Sequence, residues 1–218
     1  MPLSEYIIND IKPLKVTSNI GDAQQLFNQL TYSHIPIKKD DIYIGCLSET
    51  DAHCFDSDKT ITDYLYTLEG FFVRRSTLWL DVLEAFAQKD TNIMPVLGDN
   101  NQYLGYYELN DIIAMFNQTP FFAEPGGILI VEKVYNDYSF SEVCQIAESN
   151  NGKLLGAFIS KVGNDMVQVT LKIGNTGLNE IIQSFRRYGY NIVSGHEDDT
   201  FVQNLKERSD YLNKYLNL

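Results

Sequence analysis

Apolar positions in the first half of the chain fall into short runs whose period changes from helical to extended and then starts again. Ala23, Leu26, Phe27 and Leu30 keep the three-and-four spacing of one helix face, and Val82, Leu83, Ala85 and Phe86 keep it a second time. A hydroxyl residue, Ser18 or Thr77, precedes each run in the position of an N-cap. After each helix comes a short apolar strand built round a proline ("HIPI", "IMPV"), then a polar turn and a second strand ("IYIGCL", "QYLGYY"). A second helix is predicted to close each copy. In the second copy it starts directly, at "NDIIAMF"; in the first it is expected after a detour, at "DYLYTL". The order is strand, helix, strand, strand, helix, written twice.

The two copies align residue by residue. Ser18 matches Thr77, Phe27 matches Phe86 and Pro36 matches Pro95 at an offset of 59, while Tyr43 matches Tyr103, Gly45 matches Gly105 and Asp51 matches Asp111 at 60. The extra residue falls in the polar turn, where insertions cost least. With P-h-h before the turn and G-h-x-(S/T)-x-x-D after it, the doubled pattern over roughly residues 8–116 resembles a tandem pair of cystathionine-β-synthase (CBS) domains. The resemblance places a first repeat at 1–60 and a second at 61–118. It implies one disc with two clefts for adenine nucleotides or related adenosyl ligands.

The residues of the motif suit that chemistry. A hydroxyl where a strand turns into a helix lies beside unpaired backbone N–H groups, a natural seat for a phosphate oxygen. An aspartate one helical turn later can accept from two adjacent ribose hydroxyls. In the resembling family these positions serve in that way, which would make Ser48 a phosphate contact and Asp51 a ribose contact, with Gly45 letting the backbone come close. Without a ligand, the same Ser and Asp would simply cap the helix. The second copy keeps Gly105 and Asp111 but has Glu108 where the hydroxyl belongs. A carboxylate about 4 Å from a phosphate, at an effective dielectric near 20, repels it by roughly 4 kcal/mol, on the order of a thousandfold in affinity. Unless Mg²⁺ bridges the two charges, phosphate is therefore expected in the first cleft only, the second being empty, taking an uncharged or cationic adenosyl ligand, or serving the structure alone. Ser18, Pro36 and Thr77 complete the candidate ligand-binding set, and His34 either faces the first cleft or lies on the surface of an edge strand. Lys15, Lys38, Arg74 and Arg75 are candidate phosphate partners or solvated surface.

The crowd of Asp51, His53, Cys54, Asp56 and Asp58 matches no zinc spacing, and no metal site is expected there.

The stretch "NQTPFFAEPGG" breaks the periodicity and reads as a linker. Beyond it, over 126–218, come a buried strand ("GILIVEKV"), a helix capped by Ser139 or Ser141, two strands joined at "KVGND", a helix starting near Thr176 and stopping at Gly189, and a strand "YNIVSG". This βαββαβ order is ferredoxin-like. After a CBS pair it resembles an ACT-type domain, and the whole resembles the acetoin-utilisation regulatory family. ACT domains that take an amino acid do so through a glycine-bearing loop; Phe140 stands in the glycine's place, so dimerisation is the simpler use. A C-terminal helix is expected from the Thr200-x-x-Gln203 capping box onward. The expected class is thus α+β: a tandem CBS pair, a ferredoxin-like (ACT-type) βαββαβ domain and a C-terminal helix.

Composition narrows the function. The formal net charge is -12 and there is no basic run beyond paired residues, which argues against nucleic acid and anionic membrane as partners. No stretch is apolar enough to span a bilayer, and three cysteines at unrelated spacings suit a reducing, cytoplasmic setting. Neither a nucleophile elbow nor a P-loop is present, and His34, His53 and His196 lack a neighbouring nucleophile pattern. The expectation is a non-catalytic, homodimeric regulator acting on an unidentified protein. It requires no cofactor and binds AMP, ADP, ATP or S-adenosylmethionine as ligand. A ligand-free dimerisation scaffold is the alternative, and an enzyme with a spatially assembled site is the third reading.

Overall fold

A computed structural model of the chain describes residues 3–174 and 177–194, and the chain divides into two compact units, 1–116 and 117–218. The first unit carries the repeat. Its first copy runs β1 (Leu14–Lys15), α1 (Ile20–Gln29), β2 (His34–Lys39), β3 (Ile42–Ser48) and α2 (Glu49–Cys54). Its second runs β4 (Val73–Arg74), α3 (Trp79–Lys89), β5 (Ile93–Leu97), β6 (Tyr103–Glu108) and α4 (Leu109–Ala114). Each copy makes a three-stranded sheet, β1-β2-β3 or β4-β5-β6, with the first pair parallel and the second an antiparallel hairpin. Even the irregularities repeat: a bulge at Ile37/Lys38 recurs at Val96/Leu97.

Two details of the repeat differ from expectation. The helix after β3 starts at once, at Glu49, while "DYLYTL" lies in a 3-10 stretch, Ile61–Thr67. Periodicity missed α2 because it is six residues long and only Ala52 is buried. Nor are Ser18 and Thr77 the caps. Asn19 caps α1, in a reciprocal box with Asp22, and Leu78 stands at the cap of α3 without a side-chain bond.

The copies interlock. Ile8, ahead of β1, pairs with Tyr106 of β6, and Glu69, ahead of β4, pairs with Cys46 of β3, each through two backbone bonds of 2.8–2.9 Å. Between them run contacts of residues with their own counterparts. Ile42 bridges Gln102, the rings of Tyr43 and Tyr103 stack at 6.4 Å and 16°, and Ser33 N–H donates to Asn92 Oδ1 at 2.9 Å while Asn92 N–H donates to Ser33 Oγ at 3.2 Å. A residue meeting its own equivalent lies on a rotation axis, so a pseudo-two-fold passes through these pairs.

The second unit follows the expected βαββαβ order: β7 (Gly126–Val134), α6 (Phe140–Ser149), β8 (Lys153–Gly163), β9 (Met166–Gly174), α7 (Leu178–Arg187) and β10 (Asn191–Ile192). The sheet order is β10-β7-β9-β8 with every neighbour antiparallel. The β8–β9 turn places Asn164 and Asp165 at φ of +53° and +57°, the left-handed pair that a two-residue hairpin needs. Both helices bury Val143, Ile146, Ile181 and Phe185 against Leu129, Val131, Val169 and Leu171. The stretch expected as a linker instead holds a short helix, α5 (Pro120–Ala123), started by Pro120 at a position that needs no N–H. Phe121 of that helix packs over Gly156 and near Phe158 of β8. Ser139 is the cap of α6. The expected start of α7 at Thr176 and the C-terminal helix lie outside the described residues.

Glu142 of α6 ties this unit together: Tyr190 donates to its carboxylate at 2.7 Å and Lys133 at 3.0 Å. The Tyr190 hydroxyl, then Lys133, hold the Glu142 carboxyl below its usual range. Stability from a depressed carboxyl is complete above its unfolded value and is lost as pH falls through the lower folded one. Glu142→Gln is therefore expected to cost about 1 kcal/mol at pH 7 and to flatten the loss of stability between about pH 5 and pH 3. Urea denaturation across that range checks both.

Candidate functional site

The first corner forms where β3 ends and α2 begins. Ser48 caps α2 by accepting the Asp51 N–H at 3.1 Å, and the Glu49 N–H donates to Ser33 O at 2.9 Å. Capping uses one lone pair of the Ser48 hydroxyl, and its O–H proton remains a donor. Asp51 lies half-buried in the first turn, three residues on. Hydroxyl donor and carboxylate acceptor thus stand together at this corner.

The second corner is built alike and filled differently. Glu108 occupies the cap of α4 but makes no cap bond; its carboxylate accepts the hydroxyl of Tyr32, a residue of the first repeat. The Tyr32 and Tyr106 hydroxyls lie 3.3 Å apart, their rings meet edge to face at 5.6 Å, and Tyr106 donates to Asp10. That bond holds the Asp10 carboxyl below its usual range. Burial and then the accepting carboxylates raise both phenols, so each keeps its proton as a donor. Two carboxylates and two phenols therefore close the corner beside Asp111 among themselves. At the position equivalent to Tyr32, the second copy has Thr91, whose hydroxyl is spent on Ile93 O at 2.9 Å and lies 3.2 Å from Ser33 Oγ.

Several of the expected contacts have a place in the fold. A Cβ on Gly45 would come within 3.0 Å of Leu68 Cβ and 3.1 Å of Glu69 O, and one on Gly105 within 2.3 Å of Ile8 O. These glycines admit the protein's own crossing strands. Ser18 accepts the Ile61 N–H through its carbonyl, and Thr77 Oγ1 accepts the Arg74 N–H, closing the turn before α3. Pro36 is buried in β2 opposite Cys46; β1 borders only Ile37 and Lys38, so β2 has a neighbour on one side alone at the proline. His34 is not on an edge-strand surface. It is 6% exposed, with Nδ1 2.8 Å from Ser33 Oγ, Nε2 3.2 Å from Glu69 Oε1 and Phe71 edge-on at 5.2 Å. Both ring nitrogens are engaged by neighbours from the same two seams that interlock the copies. Arg74 clasps its own hairpin turn, donating to Gly98 O and Asn101 Oδ1.

Asp56 and Asp58 shape a turn, Asp56 Oδ1 accepting the Asp58 N–H at 3.1 Å, and among the described residues no three His, Cys, Asp or Glu are grouped to hold a metal ion. Cys46 is fully buried, which pushes its thiol up to about 12. No helix of the described residues is long and apolar enough to cross a membrane.

Sequence reasoning singled out Ser48, Asp51 and Glu108 at the two corners but not Tyr32, Tyr106 and Asp10. The available signal was the break in the repeat, with Tyr32 against Thr91 and Tyr106 against Cys46.

No family model matches the chain, and no curated protein does. Among solved structures, a CBS domain pair/ACT domain protein from Thermotoga maritima is similar at 16% identity and a TM-score of 0.50, over 54% of this chain and 98% of that one. CBSX2, solved in complex with AMP, is 18% identical over 54% of this chain and 96% of its own, with a TM-score of 0.47. The CBS domains of a transcriptional regulator from Streptococcus pneumoniae are 23% identical over 52% of this chain and 92% of theirs, with a TM-score of 0.43. The Thermotoga likeness shows that about half the chain shares the fold of that CBS domain pair/ACT domain protein.

Proposed function

We propose that this chain is a non-catalytic regulatory sensor whose CBS pair holds an adenine nucleotide or related adenosyl compound at the first corner. One observation carries the reading: the two corners share a backbone but differ in what fills them. Ser48 keeps a donor proton beside Asp51, whereas Glu108 is engaged by Tyr32. A phosphate and a ribose diol fit the first pair; at the second a phosphate would displace a hydrogen bond and meet a carboxylate. The ligand acts by binding one packing of the interlocked repeats better than another, since only differential affinity shifts an equilibrium. The βαββαβ unit is read as an ACT-type domain that joins two copies of the chain and passes the shift to a regulated protein.

A ligand-free scaffold is the second reading. It is favoured by the structural employment of His34, Gly45 and the Ser48 lone pair. Thermal-shift measurements with AMP, ADP, ATP and S-adenosylmethionine, with and without Mg²⁺, separate the two. A ligand at a hundred times its dissociation constant adds about 2.7 kcal/mol, which raises Tm by several degrees. If no adenosine compound moves Tm at millimolar concentration, the scaffold stands.

A further inference from the structure

A cavity of about 450 Å³ opens at the far end of β3 from Ser48, walled by the N-terminal segment and both hairpin ends: Asn9, Lys12, Lys38, Asp41, Gln102 and Tyr103 among others. From Ile42 to Ser48 the strand rises roughly 20 Å at about 3.3 Å per residue, so this cavity and the first corner are separate places. We propose that the cavity is a second ligand site, taking the phosphate groups of a compact polyanion independently of adenosine.

Its charge is the first argument. In a chain of net charge -12, two ammonium groups meet in one hollow. A third lies on the neighbouring strand, outside the wall: Lys15 of β1 is the register partner of Lys38 of β2. Adjacent strands place like charges together at a cost unless an anion lies between them. Among the described residues the single carboxylate of the wall, Asp41, is a weak counterion, 96% exposed and 3.6 Å from Lys38 Nζ. Lys38 keeps only 27% of its side chain exposed.

Donor supply is the second argument. Lys12 spends one of its three N–H groups on Asn9 O at 2.7 Å, and Lys38 lies beyond hydrogen-bond reach of Asp41, so most ammonium protons have no protein acceptor among the described residues. The amides of Asn9 and Gln102 add donors at the rim. Several donors and two cations with one exposed acid call for an acceptor-only ligand of more than one negative charge, which is what linked phosphates are.

Tripolyphosphate carries that chemistry with no adenosine attached. Titrated calorimetrically into the full chain, it is expected to bind, to weaken as salt rises, and to bind at least tenfold more tightly than inorganic phosphate. Lys12→Gln/Lys38→Gln, both on the rim, should lose about tenfold or more, and Asp51→Ala should lose nothing. In Asp51→Ala, competition by ATP would identify nucleotide phosphates as occupants, and failure to compete would assign the cavity to other polyphosphates; either result upholds the site. No binding by the wild-type chain, equal binding by the double-lysine variant, or loss in Asp51→Ala would overturn it.

Discussion

Gly105→Ala is expected to destabilise the repeat unit by about 3–5 kcal/mol, lowering Tm by more than about 10 °C. The new Cβ would lie 2.3 Å from Ile8 O and 2.7 Å from Ile7 Cγ2, and neither atom can withdraw alone. Ile8 is held by two backbone bonds to Tyr106, both 2.9 Å. Relief therefore means giving up the crossing strand, at about 1 kcal/mol per bond, in addition to the strain of an alanine at a φ of +151°. The counterpart Gly45→Ala is the internal control. It has a φ of +152°, but its Cβ would meet Leu68 Cβ at 3.0 Å and Glu69 O at 3.1 Å, contacts that yield by a few tenths of an ångström. About 1–3 kcal/mol is expected there. Equal losses at the two glycines, measured by chemical denaturation, would contradict this account of why they are needed.

Glu108→Thr should give the second corner an affinity for nucleotide that the wild-type corner lacks. Removing the carboxylate lifts a repulsion of roughly 2–4 kcal/mol against an incoming phosphate. Threonine also supplies the cap bond that Glu108 does not make, as Ser48 does for Asp51, worth about 1 kcal/mol to α4. Against this stands the loss of the Tyr32 bond, about 1 kcal/mol, so the variant is expected to fold with nearly unchanged stability. Asp111 then stands to the introduced hydroxyl as Asp51 stands to Ser48. A variant that remains as closed to nucleotide as the wild type, by calorimetric titration, would place the obstruction elsewhere than in Glu108.

Much of the fold was legible because it repeats. Two matched helix faces, two buried prolines and two Gly-x-x-x-x-x-Asp corners left little freedom in element order, and the second unit's long apolar strands announced themselves equally well. What could not be read were the partners across the interlock. Gly105 needs its missing side chain because of Ile8, and His34 is buried because Glu69 and Ser33 hold its ring. No periodicity encodes such pairings, since the crossing strands precede β1 and β4 and serve the other copy. The closed second corner was half legible: Glu108 announced a carboxylate, but only the fold brings Tyr32 and the Tyr106–Asp10 pair to it. Helix α5 and the short α2 were missed for a different reason, being too short to show a period.

The central claim is that the first corner, and not the second, receives an adenosine ligand. Calorimetric titration of the wild-type chain and Asp51→Ala, with whichever adenosine compound raises Tm most, tests it directly. Adenosine itself is titrated alongside, so that a phosphate bound in the lysine-lined cavity is not counted. One adenosine per chain in the wild type and none in Asp51→Ala is the predicted result. Two equivalent adenosines per wild-type chain, or adenosine binding that survives in Asp51→Ala, would contradict it.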